Sequence, residues 1–277
     1  MRLAGVVVLY NPDNSVAGNI NSYIGQLDIL YVVDNSDLKN RALISRLLQN
    51  EKVCYIDNHG NKGIAKAFNI GAENAIKQNC DFLLTMDQDS RASENMMERL
   101  IDFISKHDTK QLGIVSAYHK QPYQTKCYYL KKSELIAYVM SSGNLLNLSA
   151  YRKCGKFLEK FFIDMVDYEY CLRLHMMGYQ VIRVNDAVLF HKEGDVYSKN
   201  GVLKALHSPV RTYYYVRNYL YVRKKYKEKF PDIIKTMQNN CIIAARTNLI
   251  YGGQRLKRIL YIIRAFIDYG AGRYGKA

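Results

Sequence analysis

Two aspartates separated by one residue follow an apolar run in the first third of the chain. The run at 82–86 reads Phe-Leu-Leu-Thr-Met and predicts a buried strand, and Asp87-Gln88-Asp89 comes directly after it. In open α/β sheets, ligands bind beyond the carboxyl ends of the strands. Mg²⁺ and Mn²⁺ prefer oxygen ligands and are commonly shared with substrate phosphates. Because Asp-x-Asp pairs are also frequent in solvated turns, this one predicts a metal site only together with the rest of the sequence.

Strand and helix patterns alternate over the first 106 residues. Apolar runs that predict strands lie at 5–9, 29–33, 53–56 and 81–86. Helical patterns lie at 15–26, 37–50, 62–78 and 93–106. Such alternation with nearly continuous apolar strands predicts a mainly parallel sheet covered on both faces. Beyond it we expect further strands at 112–117, 127–130, 135–140, 180–184 and 187–190, and helices at 167–177 and after 201.

Length and cysteine usage limit the class of protein. A chain of 277 residues can hold one large or two small domains. Its six cysteines form no C-x-x-C pair, which argues against a zinc site and a disulfide scaffold and favours reduced, cytoplasmic thiols. No charged and then apolar signal segment opens the sequence, and no run of about 18 apolar residues predicts a membrane span.

The positive charge is concentrated near the end of the chain. Residues 204–277 contain 16 lysines and arginines against three acidic residues, whereas residues 1–203 contain 24 against 22. The same segment has ten of the 24 tyrosines. Basic amphipathic helices with interfacial aromatic residues lie on anionic membranes. A solvated basic face over an ordinary core is one alternative, and single-stranded nucleic acid binding is another.

Polar residues follow other predicted strands as well. Asp34-Asn35-Ser36 ends the second strand, where a carboxylate can accept hydrogen bonds from a base or ribose, or can cap the next helix. His191 follows the strand at 187–190. Imidazole is a common partner of carboxylates around divalent ions, and a structural or exposed histidine is the alternative.

Two further segments place chemically useful groups at a helix start. Gly60-Asn61-Lys62-Gly63 opens the third helix, where free amides attract anions, although a tight turn explains it equally well. It matches neither the dinucleotide-binding nor the P-loop glycine pattern. Asp164, Asp167 and Glu169 begin the helix at 167–177. Acids there offset the helix dipole, or Asp167 could act as a general base.

Taken together and in this order, these segments resemble family-2 glycosyltransferases, inverting enzymes with the GT-A fold. The matching segments are 8–12, 33–36, 61–65 with Asn69, 86–90, 141–144, 162–173 and His191. The Asp-Gln-Asp-Ser version, with the segment Ser-Pro-x-Arg-x-Tyr-Tyr-x-x-Arg-Asn at 208–218, is most similar to bacterial rhamnosyltransferase-like members.

The resemblance implies a role for each matching residue. Asp167 would be the catalytic base, and Asp89, with Asp87 and His191, would bind Mg²⁺ or Mn²⁺ at the donor diphosphate. The nucleotide pocket would contain Tyr10, Asn11, Asp34, Asn35, Asn61, Lys62, Asn69 and Asp87. The donor-sugar and acceptor cleft would be lined or held by Ser142, Gly143, Asn144, Glu169 and Arg173.

We therefore expect an α/β protein with the GT-A nucleotide-diphospho-sugar transferase fold. A catalytic domain would span 1–203, and a basic helical extension would span 204–277 and pack on that domain and on the inner face of the cell membrane. With one base and no candidate for a second nucleophilic carboxylate, the transfer would invert the anomeric carbon.

The resemblance favours deoxythymidine-diphosphate (dTDP) rhamnose as donor and leaves uridine-diphosphate (UDP) hexoses open. The acceptor would be a hydroxyl of a lipid-linked or growing cell-surface polysaccharide. From other classes, a nucleic-acid-binding protein and a nucleotidyltransferase remain alternatives. Nucleic acid is not the expected partner, because the motifs upstream of the basic segment imply sugar transfer.

Overall fold

The computed structural model of the protein describes residues 1–121, 129–191, 195–199 and 202–277. Half of the strand predicted at 127–130 falls outside these residues, and the described half, Tyr129 and Leu130, is not in a strand. The chain divides into two compact units, one of 1–157 with 170–192 and one of 158–169 with 193–277. The proposed division into a catalytic domain and an extension at residue 204 remains a prediction.

The first unit is built on one mixed sheet of nine described strands. The strands are β1 (Leu3–Leu9), β2 (Ile29–Asp34), β3 (Val53–Asp57), β4 (Phe82–Asp87), β5 (Arg91–Ala92), β6 (Leu112–Lys120), β7 (Ser133–Leu135), β8 (Asn144–Asn147) and β9 (Gln180–Phe190). They lie in the order β3-β2-β1-β4-β8-β6-β9-β5, and β7 also pairs with β9.

Six of these strands run in one direction. β3, β2, β1 and β4 pair in parallel, and so do β6 and β9. β8 lies between β4 and β6 and is antiparallel to both. The carboxyl ends of the six parallel strands therefore lie along one edge of the sheet, which we call the carboxyl edge.

Helices cover both faces of the sheet, as predicted. The helices before the C-terminal segment are α1 (Val16–Asn21), α2 (Arg41–Leu47), α3 (Ile64–Lys77), α4 (Met96–Ser105), α5 (Leu148–Cys154) and α6 (Val166–Met176). Strand side chains alternate between faces. Val7 and Leu9 of β1 join an apolar cluster with α1, α2 and α4, whereas Val6 points to the other face, toward Gly71 of α3.

The middle of the sheet differs from the sequence prediction in three places. The antiparallel strand β8 was not predicted, because four residues are too short to show a period. Two strands predicted at 180–190 are one strand, with a register shift against β6 between Ala117 and Tyr118. The prediction of a strand at 135–140 is wrong beyond Leu135. The Ile136 amide still donates to the Val181 carbonyl, but the Ile136 and Ala137 carbonyls both lie 3.1 Å from His175 Nε2.

The second unit is mainly helical, in agreement with the predicted extension. A hairpin of β10 (Asp195–Lys199) and β11 (Val202–Leu206) precedes α7 (Pro209–Tyr226), α8 (Pro231–Tyr251) and α9 (Arg255–Gly270). Pro209 occupies the first turn of α7 and the Ser208 hydroxyl accepts a hydrogen bond from the Arg211 amide, a common helix start. Among the described residues, no helix combines the length and apolar content needed to cross a bilayer.

The contact between α3 and β1 gives a test of the packing. A Cβ added at Gly71 would lie 2.5 Å from the Val6 Cβ, so Gly71→Ala overpacks the interface at a cost of about 1–3 kcal/mol. The better helix propensity of alanine returns only about 1 kcal/mol. We expect a lower melting temperature in thermal unfolding, by about 2–4 °C for each kcal/mol lost.

Gly18→Ala in α1 is the matched control, because nothing lies within 4 Å of its added Cβ. At this position no steric clash opposes the better helix propensity of alanine, so we expect an unchanged or higher melting temperature. Equal effects of the two substitutions would contradict the close approach of α3 to β1.

Candidate active site

Three of the four parallel strands β1–β4 end in aspartate at the carboxyl edge. Asp34 ends β2, Asp57 ends β3 and Asp87 ends β4, and the register pairs Asp34 with Asp57 and Asp87 with Val8 of β1. Residues paired across parallel strands point to the same face, so Asp34 and Asp57 share the face of Leu9 and Asp87 shares the opposite face with Val8, while all three lie at the carboxyl edge. Asp57 was not singled out from the sequence, although its position after an apolar strand is the signal that identified the other two.

The acidic pair of β4 meets a histidine from β9. His191 follows β9, and its amide donates to the Lys120 carbonyl at the end of β6 (3.2 Å). Asp87, Asp89 and His191 each offer a ligand atom, and these atoms lie within 4.8 Å of one another. The Asp89 carboxylate is 56% exposed and the His191 side chain 10% exposed. The structure therefore brings together the three residues that the sequence suggested as metal ligands.

Buried hydroxyl groups hold His191 in place. The Ser90 hydroxyl lies 2.6 Å from His191 Nδ1, and the Ser142 hydroxyl donates to Ser90 (2.8 Å). The Ser142 hydroxyl in turn accepts from the Asp87 amide (3.1 Å). This chain of hydrogen bonds connects the end of β4, the turn after it and the end of β9, so it fixes the spacing of the cluster. Ser90 was not named as a site residue, because a single serine in a turn has no distinctive pattern.

His119 supports the same region as a neutral group. Burial lowers the pKa of His119 to about 4, so the imidazole is uncharged near neutral pH. Its Nε2 is 2.6 Å from the Ser142 carbonyl and, as a neutral donor, binds that oxygen. Sequence analysis missed this residue, which lies two positions beyond the strand predicted at 112–117 and inside the longer β6.

The segment 141–144, predicted to line the sugar cleft, is hydrogen-bonded to both β4 and β6. Gly143 donates to the Thr85 carbonyl (2.8 Å) and accepts from the Ala117 amide (2.9 Å). Its φ of +75° and the 2.9 Å from an added Cβ to Leu189 explain why glycine is needed. Asn144 is buried, and its side-chain amide donates to the Met140 carbonyl.

Tyr10 and Asn11 are hydrogen-bonded to residues that follow β4 and β2. The side-chain amide of Gln88 both accepts from the Tyr10 amide (2.8 Å) and donates to the Tyr10 carbonyl (3.1 Å). The Asn11 amide donates to the Ser36 hydroxyl. The Tyr10 ring is nearly half exposed, so it is available to a ligand at this edge.

Asp34 is fully buried and bonded within the protein. Its carboxylate accepts from the Tyr55 hydroxyl (2.8 Å) and the Ser36 amide (2.8 Å). Burial, together with the hydrogen bond to this carboxylate, raises the pKa of Tyr55. Lys39 lies 2.8 Å from the Asp57 carboxylate and holds the pKa of Asp57 below its usual value. The predicted nucleobase contact of Asp34 remains a prediction.

The loop before α3 depends on two asparagines. Asn35 donates to the Gly63 carbonyl and accepts from the Asn58 side chain, and Asn61 accepts from the Gly63 amide. Gly63 has a φ of +88° at the start of α3. Lys62 is exposed in this loop. The side chains of Asn35 and Asn61 thus shape the backbone at which an anion was predicted to bind.

Asn69, on α3, has a bonding pattern typical of a structural cross-link. Its side chain accepts from the Phe157 amide and the Tyr151 hydroxyl and donates to the Phe157 carbonyl. Arg173 plays a similar part, with its guanidinium donating to the Cys154 and Lys156 carbonyls and stacking on Tyr170. The structure does not bring these two side chains into the cluster of Asp87, Asp89 and His191.

Asp167 and Glu169 belong to the second unit and lie in the first turn of α6. One Asp167 carboxylate oxygen accepts from the Tyr168 amide (2.9 Å). Glu169 is fully buried, and its carboxylate accepts from Lys225 (3.0 Å) and the Tyr226 hydroxyl (2.6 Å) of α7. Glu169 therefore anchors the start of α6 to α7.

Comparison with known proteins agrees with this geometry. The sequence model for Glycosyl transferase family 2 matches residues 6–143. The dTDP-rhamnosyl transferase RfbF of Shigella flexneri is 30% identical over an alignment 296 positions long, which covers 99% of this chain and 98% of that protein.

Solved structures share the fold at low sequence identity. Residues 1–349 of TarS from S. aureus, in complex with UDP-GlcNAc, align with a TM-score of 0.69 at 14% identity over 97% of this chain and 80% of that one. GalNAc-T7 with UDP, GalNAc and Mn²⁺ aligns with a TM-score of 0.64 at 14% identity over 84% of this chain. The chain spans about half the length of GalNAc-T7 (49%) and of a longer TarS structure (48%).

The fold, the order of its motifs and a relative matched over nearly the full length all lead to one assignment. The chain belongs to glycosyl transferase family 2.

Proposed function

We propose that the protein is an inverting, metal-dependent glycosyltransferase that uses dTDP-rhamnose as donor. The cluster of Asp87, Asp89 and His191 at the carboxyl edge is the observation that carries the proposal. It supplies hard ligands at the position in an α/β sheet where phosphate-bearing ligands bind.

The donor set of this cluster fits Mg²⁺ or Mn²⁺. Two carboxylates and one imidazole, with their ligand atoms within 4.8 Å, leave room in the coordination shell for water and substrate phosphate. The Asp89 carboxylate lies 3.8 Å from His191 Nδ1, the same ring nitrogen that contacts the Ser90 hydroxyl. Such a cation stabilises negative charge on a departing diphosphate.

The protein's own residues supply the remaining chemistry. The acceptor hydroxyl must lose its proton as it attacks the sugar carbon, and Asp167 takes that proton as the general base. One attack from the side opposite the leaving diphosphate inverts the anomeric carbon. Tyr10, Asn11, Asp34 and Asn35, with Asn61 and Lys62, shape the nucleotide pocket in this proposal, while Ser142, Gly143 and Asn144 border the donor sugar.

The choice of donor rests on the relative from Shigella flexneri. RfbF is a dTDP-rhamnosyl transferase, and its 30% identity extends over nearly the whole of both chains. A UDP-hexose donor is the second candidate, which the UDP-GlcNAc complex of TarS favours through the shared fold. Nucleotidyl transfer and nucleic-acid binding lack comparable support, since the matching family is one of glycosyl transferases.

The outer surface of α9 supports an acceptor at a membrane. Arg258, Ala265 and Asp268 are the buried residues of this helix. Large apolar residues recur at helical spacing on its exposed side, at Leu256, Ile259, Leu260, Ile263, Phe266 and Ile267. Arg255 and Lys257 are exposed on the same helix. An apolar stripe beside basic residues is complementary to an anionic lipid surface, and a lipid-linked polysaccharide precursor is the acceptor that such docking would serve.

Replacing the base gives the first test of the mechanism. We expect Asp167→Asn to lower turnover of dTDP-rhamnose about 10²–10⁴-fold, the usual contribution of a general base. Donor affinity should change little, because the amide keeps the size of the carboxylate. Asp232→Asn is the matched control, an aspartate in the first turn of α8. Near-normal turnover in Asp167→Asn would reject the assignment.

Ligand-dependent melting tests the metal site without relying on turnover. Excess dTDP at about 100 times its Kd should stabilise the folded protein by about 2.7 kcal/mol. We expect the rise in Tm to require Mn²⁺ and to be lost in Asp89→Asn, but retained in Asp102→Asn, a surface aspartate of α4 paired with Lys106. A full rise in the presence of a chelator would contradict metal dependence, and a larger rise with UDP would favour the second donor.

Vesicle flotation tests the proposed membrane contact. We expect the protein to float with vesicles containing phosphatidylglycerol and to lose this binding in the double variant Leu260→Glu/Ile263→Glu. Leu48→Glu, at an exposed leucine that ends α2, should float normally. Unchanged flotation of the double variant would count against the proposal. A change from dimer to monomer in that variant would instead assign the stripe to a second copy of the chain.

A further inference from the structure

The backbone just before the proposed base is held in an uncommon conformation. Phe162, Asp164 and Met165 have φ values of +66°, +61° and +61°, a region that non-glycine residues rarely occupy. Such a conformation is unfavourable and persists only where surrounding contacts fix it. Asp167 follows two residues later in the first turn of α6, so the direction in which its carboxylate points depends on this backbone.

Asn218 of α7 binds that backbone at three points. Its side-chain amide lies 3.0 Å from the Phe161 carbonyl, 2.8 Å from the Ile163 carbonyl and 3.0 Å from the Asp164 carbonyl. The side chain is fully buried. A single amide group therefore draws together carbonyls on both sides of Phe162.

Arg217 orients Asn218 and extends the contact. Its Nε donates to the Asn218 side-chain oxygen (3.1 Å), which turns the amide nitrogen toward the three carbonyls. Its Nη2 donates to the Lys160 and Phe161 carbonyls at 3.4 and 3.3 Å. Arg217 is 1% exposed, so this charge is committed to the interior of the second unit.

Residues of α7, α9 and the C-terminal segment after α9 hold Arg217 in place. Its Nη1 donates to the Tyr213 hydroxyl (3.0 Å) and the Gly275 carbonyl (3.1 Å). The Tyr213 hydroxyl donates to the Asp268 carboxylate of α9 (2.9 Å). Other α7 residues hold the flanks of the strained segment: Arg211 donates to Asp164 (3.1 Å), and Lys225 and Tyr226 bind Glu169.

We propose that Arg217 and Asn218 are positioning residues for the catalytic base, acting through the 160–165 backbone that they bind. This inference rests on the proposed role of Asp167. A general base must lie within about 3 Å of the proton that it removes. A shift of 1 Å in such a group can lower the rate about 10²-fold. The basic extension thus takes part in turnover without touching substrate.

Asn218→Asp is the direct test, because it keeps the shape of the side chain and replaces the donating amide with oxygen. We expect kcat to fall about 10–100-fold with the donor KM within about twofold. Arg217→Lys keeps the charge but loses the planar fork, and it should lower kcat in the same way. Asn74→Asp in α3 is the matched control, since its amide also donates to a carbonyl (Ile70, 2.9 Å) but within its own helix.

Combining each change with Asp167→Asn separates positioning from general damage. If Asn218 acts through Asp167, Asn218→Asp should cause almost no further loss of kcat in the Asp167→Asn background. Equal losses in both backgrounds, or a normal kcat in both folded variants, would overturn the inference. Should Asn218→Asp fail to fold, the same cycle is read with Arg217→Lys. Full activity of Asp167→Asn alone would instead reject the proposed function.

Discussion

The parallel pairing of β1–β4 is the constraint on which the candidate site depends. It aligns strand ends that carry Asp34, Asp57 and Asp87, and so concentrates negative charge at one edge of the sheet. Like charges so close oppose folding unless they are offset. Lys39 and the Tyr55 hydroxyl offset the charge at the β2–β3 end. A bound cation between Asp87, Asp89 and His191 would offset it at the β4–β9 end, which is the electrostatic basis of the proposed metal dependence.

Several motif residues hold the backbone and side chains at this edge in place. Ser142 links the end of β4 to Ser90 and His191, and Asn35 and Asn61 both bind Gly63. These groups are largely buried and hydrogen-bonded, and a bonded polar network in a low-dielectric interior is rigid. A rigid edge keeps reacting groups at fixed distances, and this preorganisation lowers the barrier of group transfer.

The second unit buries charged side chains and exposes large apolar ones, and our proposals give each of these two groups a role. Its interior contains the charged side chains of Arg217, Arg258 and Asp268, each hydrogen-bonded, whereas α9 presents large apolar residues outward. Burying a charged side chain costs free energy unless each of its donors finds an acceptor. The hydrogen bonds of Arg217 therefore require the surrounding carbonyl and hydroxyl groups to stay in fixed positions. In our proposals, the inner face aligns the base helix and the outer face meets the membrane.

The sequence alone determined the strands β1–β4, the helices between them and the residues at the strand ends, because periodicity and turn residues are local signals. It also placed Asp87, Asp89 and His191 at strand ends. Only the tertiary structure decided that β9 lies close enough to bring His191 to the two aspartates, and that β8 runs antiparallel between β4 and β6. Strand order and register arise from packing between segments distant in sequence. For the same reason, the roles of Ser90 and His119 and the bonds of Arg217 and Asn218 became visible only in the folded chain.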